Sequence, residues 1–128
     1  MASFDANCLL RLFMGDIPKQ TARVEKRLAT EKNINVTDMA IMEVVYVMER
    51  SMGLPRALIG RHLLGLMEWG NISCNRVLFG EVLFIYKTHP KLSFVDICLS
   101  VYAKLNKAEP LLTFDQKMIS QLKNVKKA

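Results

Sequence analysis

The sequence has no apolar run approaching the roughly 18 to 20 residues that a membrane-spanning helix needs, so a helical membrane protein is excluded. Its first ten residues carry one aspartate and no lysine or arginine, which argues against a secretory leader. Cysteine is scarce and badly placed for cross-linking: Cys8, Cys74 and Cys98 are odd in number, far apart, and show no C-x-x-C spacing. Neither a disulfide framework nor a zinc site is indicated, and each thiol reads as a small core residue. The two histidines, His62 and His89, are isolated, so no histidine-based catalysis is suggested. No internal repeat or low-complexity linker interrupts the chain. One cytoplasmic domain over residues 1–128 is the expectation.

A chain of 128 residues can bury roughly two-thirds of the surface its unfolded form exposes, enough for one core. Eighteen Lys and Arg face twelve Asp and Glu, a net charge of +6 with a pI near 9.4. This balance suits a polyanionic partner, although solvated helix faces explain surplus lysine as well. Hydrophobic residues make up 51% of the chain, concentrated in VVYVMERSMGL and ALIGRHLLGLMEW, more than one buried stripe uses. The excess points to a homodimer or to a groove for a protein partner. The eight methionines read as adaptable core and interface filler.

Local signals divide the chain into alternating elements. A short strand ends near Asp5, and a helix through LLRLFM stops at Gly15. Pro18 opens a charged surface helix, TARVEKRLATEK. INV (34–36), ISC (72–74) and PLLTFD (110–115) are short β-type runs. Between them lie the helices AIMEVVYVMERSM, capped by Thr37 and Asp38; PRALIGRHLLGLMEW; RVLFGEVLFIYKTH, capped by Asn75; and FVDICLSVYAKLNKA, capped by Ser93. QKMISQL is a last short helix before a basic tail, KNVKK. Strands without in-out alternation, set between helices, predict an α/β three-layer sandwich with a short parallel sheet of about four to five strands. In such sheets ligands gather at the carboxyl ends of the strands, where strand order reverses.

Four acids stand where acids are costly. Glu43 is the only charge in MAIMEVVYVM, a helix apolar almost all round and therefore expected to be buried; the alternative is a buried salt bridge. Asp96 lies alone in FVDICLSVY, or closes a capping box with Ser93. Asp115 ends the β-type run PLLTF, or caps the next helix. Asp5 ends the first strand, or forms a turn. Carboxylates that share a dry site repel one another unless a cation intervenes. A hard, oxygen-binding divalent ion such as Mg²⁺ is the natural cation, and a metal-assisted phosphodiester site the natural use.

Asp5-x-Asn7 after the first strand, Glu43 early in an apolar helix, Asp96 at a helix start and Thr113-x-Asp115 after a late strand resemble the acidic quartet of PIN-domain ribonucleases. Length and element order are similar to the VapC-like toxins of toxin-antitoxin pairs, over essentially the whole chain. The resemblance implies an endoribonuclease that depends on Mg²⁺ or Mn²⁺, cuts single-stranded RNA, works as a homodimer and is held by a cognate antitoxin. Asp5, Glu43, Asp96 and Asp115 would be the catalytic metal ligands, Asn7 and Thr113 would orient them, and Arg11 is a possible phosphate contact. Two departures are visible: only four residues precede Asp5, and Ala6 stands where a hydroxyl residue is common. The competing reading keeps the PIN-like scaffold as a non-cleaving module that binds RNA or protein. A signalling receiver domain would need a second acid after the first strand and an aspartate after ISC, and has neither.

Overall fold

Side-chain caps mark where strands give way to helices. In the computed structural model, which describes all 128 residues, helix α1 (Ala6–Met14) begins behind Asp5, and α3 (Asp38–Arg50) behind Thr37. Each cap oxygen accepts a backbone N–H of the first turn, from Cys8 at 2.9 Å and from Ala40 at 3.2 Å. At the other end of α1, Gly15 takes the left-handed conformation, φ +61°, which only glycine adopts without strain. Helix α2 (Pro18–Thr30) starts without a side-chain cap, on a proline whose fixed φ suits the first helical position.

The chain divides into two compact units, Met1–Asn75 and Arg76–Ala128. In the first, strands β1 (Ala2–Ser3), β2 (Ile34–Asn35) and β3 (Ile72–Ser73) form a parallel sheet in that order, with Ala2 opposite Ile34 and Ile34 opposite Ile72. Main-chain bonds extend the ladder one residue onward, from Phe4 N–H to Asn35 C=O at 3.0 Å and from Val36 N–H to Ser73 C=O at 2.9 Å. Phe4, Ile34, Val36 and Ile72 are buried. Helices α1 and α2 connect β1 to β2, and α3 and α4 (Arg56–Met67) connect β2 to β3. The strand order within this sheet does not reverse.

The second unit holds α5 (Arg76–Thr88), α6 (Phe94–Leu105), β4 (Leu111–Thr113), α7 (Gln116–Gln121) and β5 (Val125–Lys127). Its core is aromatic: the Phe94 ring stacks on Phe79 at 6.1 Å and meets Tyr86 edge-on at 5.3 Å, all three buried. Inside it, Ser100 donates its hydroxyl to Asn124 Oδ1 at 2.8 Å, and Asn124 Nδ2 returns a bond to the Ser100 carbonyl at 2.9 Å.

The expected parallel α/β architecture is present, its five strands bonded as a three-stranded and a two-stranded ladder. KNVKK is not a tail: Val125 is buried, and β5 pairs in parallel with β4, setting Lys126 opposite Leu112. Cys98 is a core residue as expected, whereas Cys8 and Cys74 are half-buried. No helix is long and apolar enough to cross a membrane.

Phe94→Ala should cost about 3 to 5 kcal/mol of stability, because it removes the ring that two buried aromatics pack against. Urea denaturation followed by circular dichroism measures this, and a loss under 1 kcal/mol would show that the second unit repacks without it.

Candidate functional site

Asp5 stands where β1 turns into α1, and one carboxylate serves that turn. Its Oδ1 accepts from the Cys8 N–H at 2.9 Å while the side chain as a whole stays exposed. This backbone bond holds the carboxyl below the ordinary aspartate range, against a smaller upward push from partial burial. The Cys8 side chain adds a second, smaller hydrogen-bond contribution in the same direction. Burial pushes the neighbouring Cys8 thiol up, so it stays protonated near neutrality and is no nucleophile.

Glu43 lies in the second turn of α3. The buried face of that helix is Ala40, Ile41, Val44, Val45 and Met48. Glu43 stands on the other side, on an exposed stripe with Met39 and Tyr46, whose ring carries the Arg50 guanidinium at 5.7 Å. The expectation of a helix buried all round is therefore corrected. Two of its apolar residues face outward, so Glu43 needs neither a buried salt bridge nor a local opening.

In the second unit Ser93 caps α6, its Oγ accepting the Asp96 N–H at 3.1 Å. The hydroxyl closes the helix start, and the half-exposed Asp96 carboxylate is not required for it. Asp115 does cap α7: Oδ1 accepts from Lys117 N–H at 2.9 Å and from Met118 N–H at 3.2 Å. It resembles Asp5 in being exposed and in using one oxygen for the backbone. Thr113 Oγ1 accepts the main-chain N–H of Asp115 at 3.1 Å, so Thr113 braces the turn through the backbone and not by gripping a carboxylate.

The quartet is divided evenly, Asp5 and Glu43 in the first unit and Asp96 and Asp115 in the second. Neither unit by itself gathers three carboxylate, imidazole or thiolate groups into a metal-holding cluster. What the first unit does bring together is Asp5, the exposed Asn7, Arg11, Gln20 and Arg23, around a hollow of about 260 Å³. Arg11 is only 16% exposed and is engaged by Asp16 at 2.7 Å, which limits it as a free phosphate contact. Arg23 and Gln20 are absent from the expected site. Their i, i+3 spacing on α2 is a legible signal, but only the packing of α2 beside α1 carries them to Asp5. His62 stacks on Phe13 at 5.0 Å, and burial, with Arg61 adding, pulls its imidazole down.

Exposed acids thus stand on two strand-to-helix turns of a parallel α/β fold, Asp5 after β1 and Asp115 after β4. The PIN domain family model matches residues 3–124, and the chain belongs to that family. PIN domains are in general nucleases and use divalent metals. No curated protein matches the chain. Among solved structures, a toxin-antitoxin complex from Klebsiella pneumoniae is similar at 20% identity, covering 98% of this chain and 96% of that one with a TM-score of 0.39. Family membership here rests on the family model.

Capping and charge at Asp5 are separable. Asp5→Ala should lower stability by about 1 kcal/mol through loss of the cap, whereas Asp5→Asn, whose oxygen still accepts the Cys8 N–H, should stay near wild type in metal-free buffer. Since folding depresses the Asp5 pKa, its contribution is whole above the unfolded value and fades as pH falls through the folded one. Asp5→Asn should lack that acid-side loss. Urea midpoints between pH 2 and 6 check both statements, and equal losses in the two variants would contradict them.

Proposed function

We propose that the protein is a metal-dependent endoribonuclease cutting single-stranded RNA, the VapC-like toxin of a toxin-antitoxin pair, acting in the cytoplasm as one PIN domain. The observation that carries the reading is the family match over residues 3–124, which takes in all four acids. The donor set fits a hard cation: the proposed ligands Asp5, Glu43, Asp96 and Asp115 are all carboxylates, and at Asp5 and Asp115 the capping bonds orient one oxygen. A bound Mg²⁺ or Mn²⁺ supplies a water of lowered pKa and polarises the scissile phosphate. The protein's part is to hold these carboxylates in place. At Asp5 the Cys8 N–H does this, and at Asp115 the α7 amides hold Oδ1 in place. Asn7, exposed beside Asp5 on the same hollow, would orient that carboxylate.

The proposal includes a homodimer and an antitoxin. Met39 and Tyr46 on α3, and Val77 and Phe84 on α5, are each at least 60% exposed and lie seven residues apart on their helices. Such stripes suit a second copy or an amphipathic segment of the antitoxin.

Purified protein should cut single-stranded RNA with Mg²⁺ or Mn²⁺ and stop in chelator. Glu43→Gln and Asp96→Asn should abolish cleavage with the fold intact, as should Asp5→Asn, while Asp115→Asn retains residual activity. RNA bound without cleavage in either metal would favour the non-cleaving module. Cleavage that survives chelator would sink the metal reading.

Light scattering at micromolar concentration should give about twice 14.6 kDa. A soluble monomer with no co-purifying protein in its native host would contradict the dimer and the antitoxin alike.

A further inference from the structure

The cations of α2 are not spread evenly around the helix. Gln20, Arg23, Arg27 and Thr30 follow i, i+3, i+7 and i+10, with Lys26 beside them, so they share one side of the helix. Val24 and Leu28 form the neighbouring buried stripe. Two hollows open along the cationic side. One holds Asp5, Asn7 and Arg11 against Gln20 and Arg23. The other, of about 600 Å³, is lined by Arg23, Lys26, Arg27 and Thr30 alone, without an apolar side chain. Arg23 lines both, which makes them successive stations on one path.

We infer that this path is the track of the RNA backbone as it leaves Asp5, with Arg23 and Lys26 as its phosphate contacts. The inference rests on the ribonuclease reading and extends it to a substrate subsite. Charge complementarity selects the occupant. A lining whose polar groups are three cations and a hydroxyl suits a row of phosphates. From Gln20 to Thr30 the helix rises about 15 Å, so the track is longer than one residue's reach. The two other arginines near it are already committed. Arg11 is bound by Asp16 at 2.7 Å, and Arg27 shares Glu31 at 3.1 Å, whereas no ion pair engages Arg23 or Lys26. Both are exposed. Arg23 is the inner contact because it also touches the hollow that holds Asp5.

The test is binding, read without cleavage: fluorescence anisotropy of a labelled 12-nucleotide oligouridine in chelator, across a salt series. For a single strand each lost phosphate contact lowers the slope of log K against log salt by about 0.7, so Arg23→Gln with Lys26→Gln should lower it by about 1.4. The charge-matched pair Lys87→Gln with Lys91→Gln, exposed residues of the second unit, should leave the slope near wild type. Circular dichroism confirms that each variant is folded. Equal slope changes in the two pairs, or none in the α2 pair, would overturn the track. A wild type that cuts RNA while the α2 pair binds normally overturns this inference alone. One whose binding depends on the α2 pair, yet which never cuts in Mg²⁺ or Mn²⁺, supports the track and removes the ribonuclease reading.

Discussion

A side-chain oxygen accepting the backbone N–H groups of a helix's first turn recurs at α1, α3, α6 and α7, from Asp5, Thr37, Ser93 and Asp115. The strands here are two or three residues long, so little regular ladder is available to define where each one ends. Caps supply that definition. They satisfy amides that would otherwise be unpaired and they place the first helical turn. They also set where negative charge can sit. A carboxylate at a helix start faces the positive end of the helix dipole, a favourable place for negative charge.

Capping and charge are therefore compatible uses of the same residues. Asp5 and Asp115 each give one oxygen to backbone amides, and a carboxylate so anchored loses less freedom on meeting a ligand than a mobile one. The other two acids are not needed to start their helices. Ser93 supplies the cap of α6 in place of Asp96. Glu43 stays exposed because the buried face of α3 turns away from it. The apolar residues beside Glu43 are then surface, which ties the surplus of hydrophobic residues to the same helix that carries an acid of the quartet.

The positive charge is organised by neighbours as much as by number. A net charge of +6 predicts attraction to polyanions without saying where they bind. Asp16 and Glu31 occupy Arg11 and Arg27, while Arg23 and Lys26 on α2 stay exposed and outside any ion pair. Field strength and contact are separate properties, and ion pairs within the protein decide between them.

The sequence by itself determined the order of every element but the last strand, it marked the caps at Thr37 and Ser93, and it made four acids conspicuous. These follow from local chemistry: Gly15 can adopt positive φ, Thr37 and Ser93 can cap, and an acid in an apolar run is conspicuous whatever lies around it. Family membership was legible for the same reason, in the ordered spacing of Asp5, Glu43, Asp96 and Asp115. What only the tertiary structure decided depends on segments that meet across the fold. Pairing with β4 turned KNVKK from a tail into a strand. The packed side of α3 left Glu43 outside. Asp16 captured Arg11 across a turn, and α2 brought Arg23 beside Asp5. Periodicity reports which residues share a helix face, but which neighbour that face meets is fixed by packing, and so are the partners of every charge upon it.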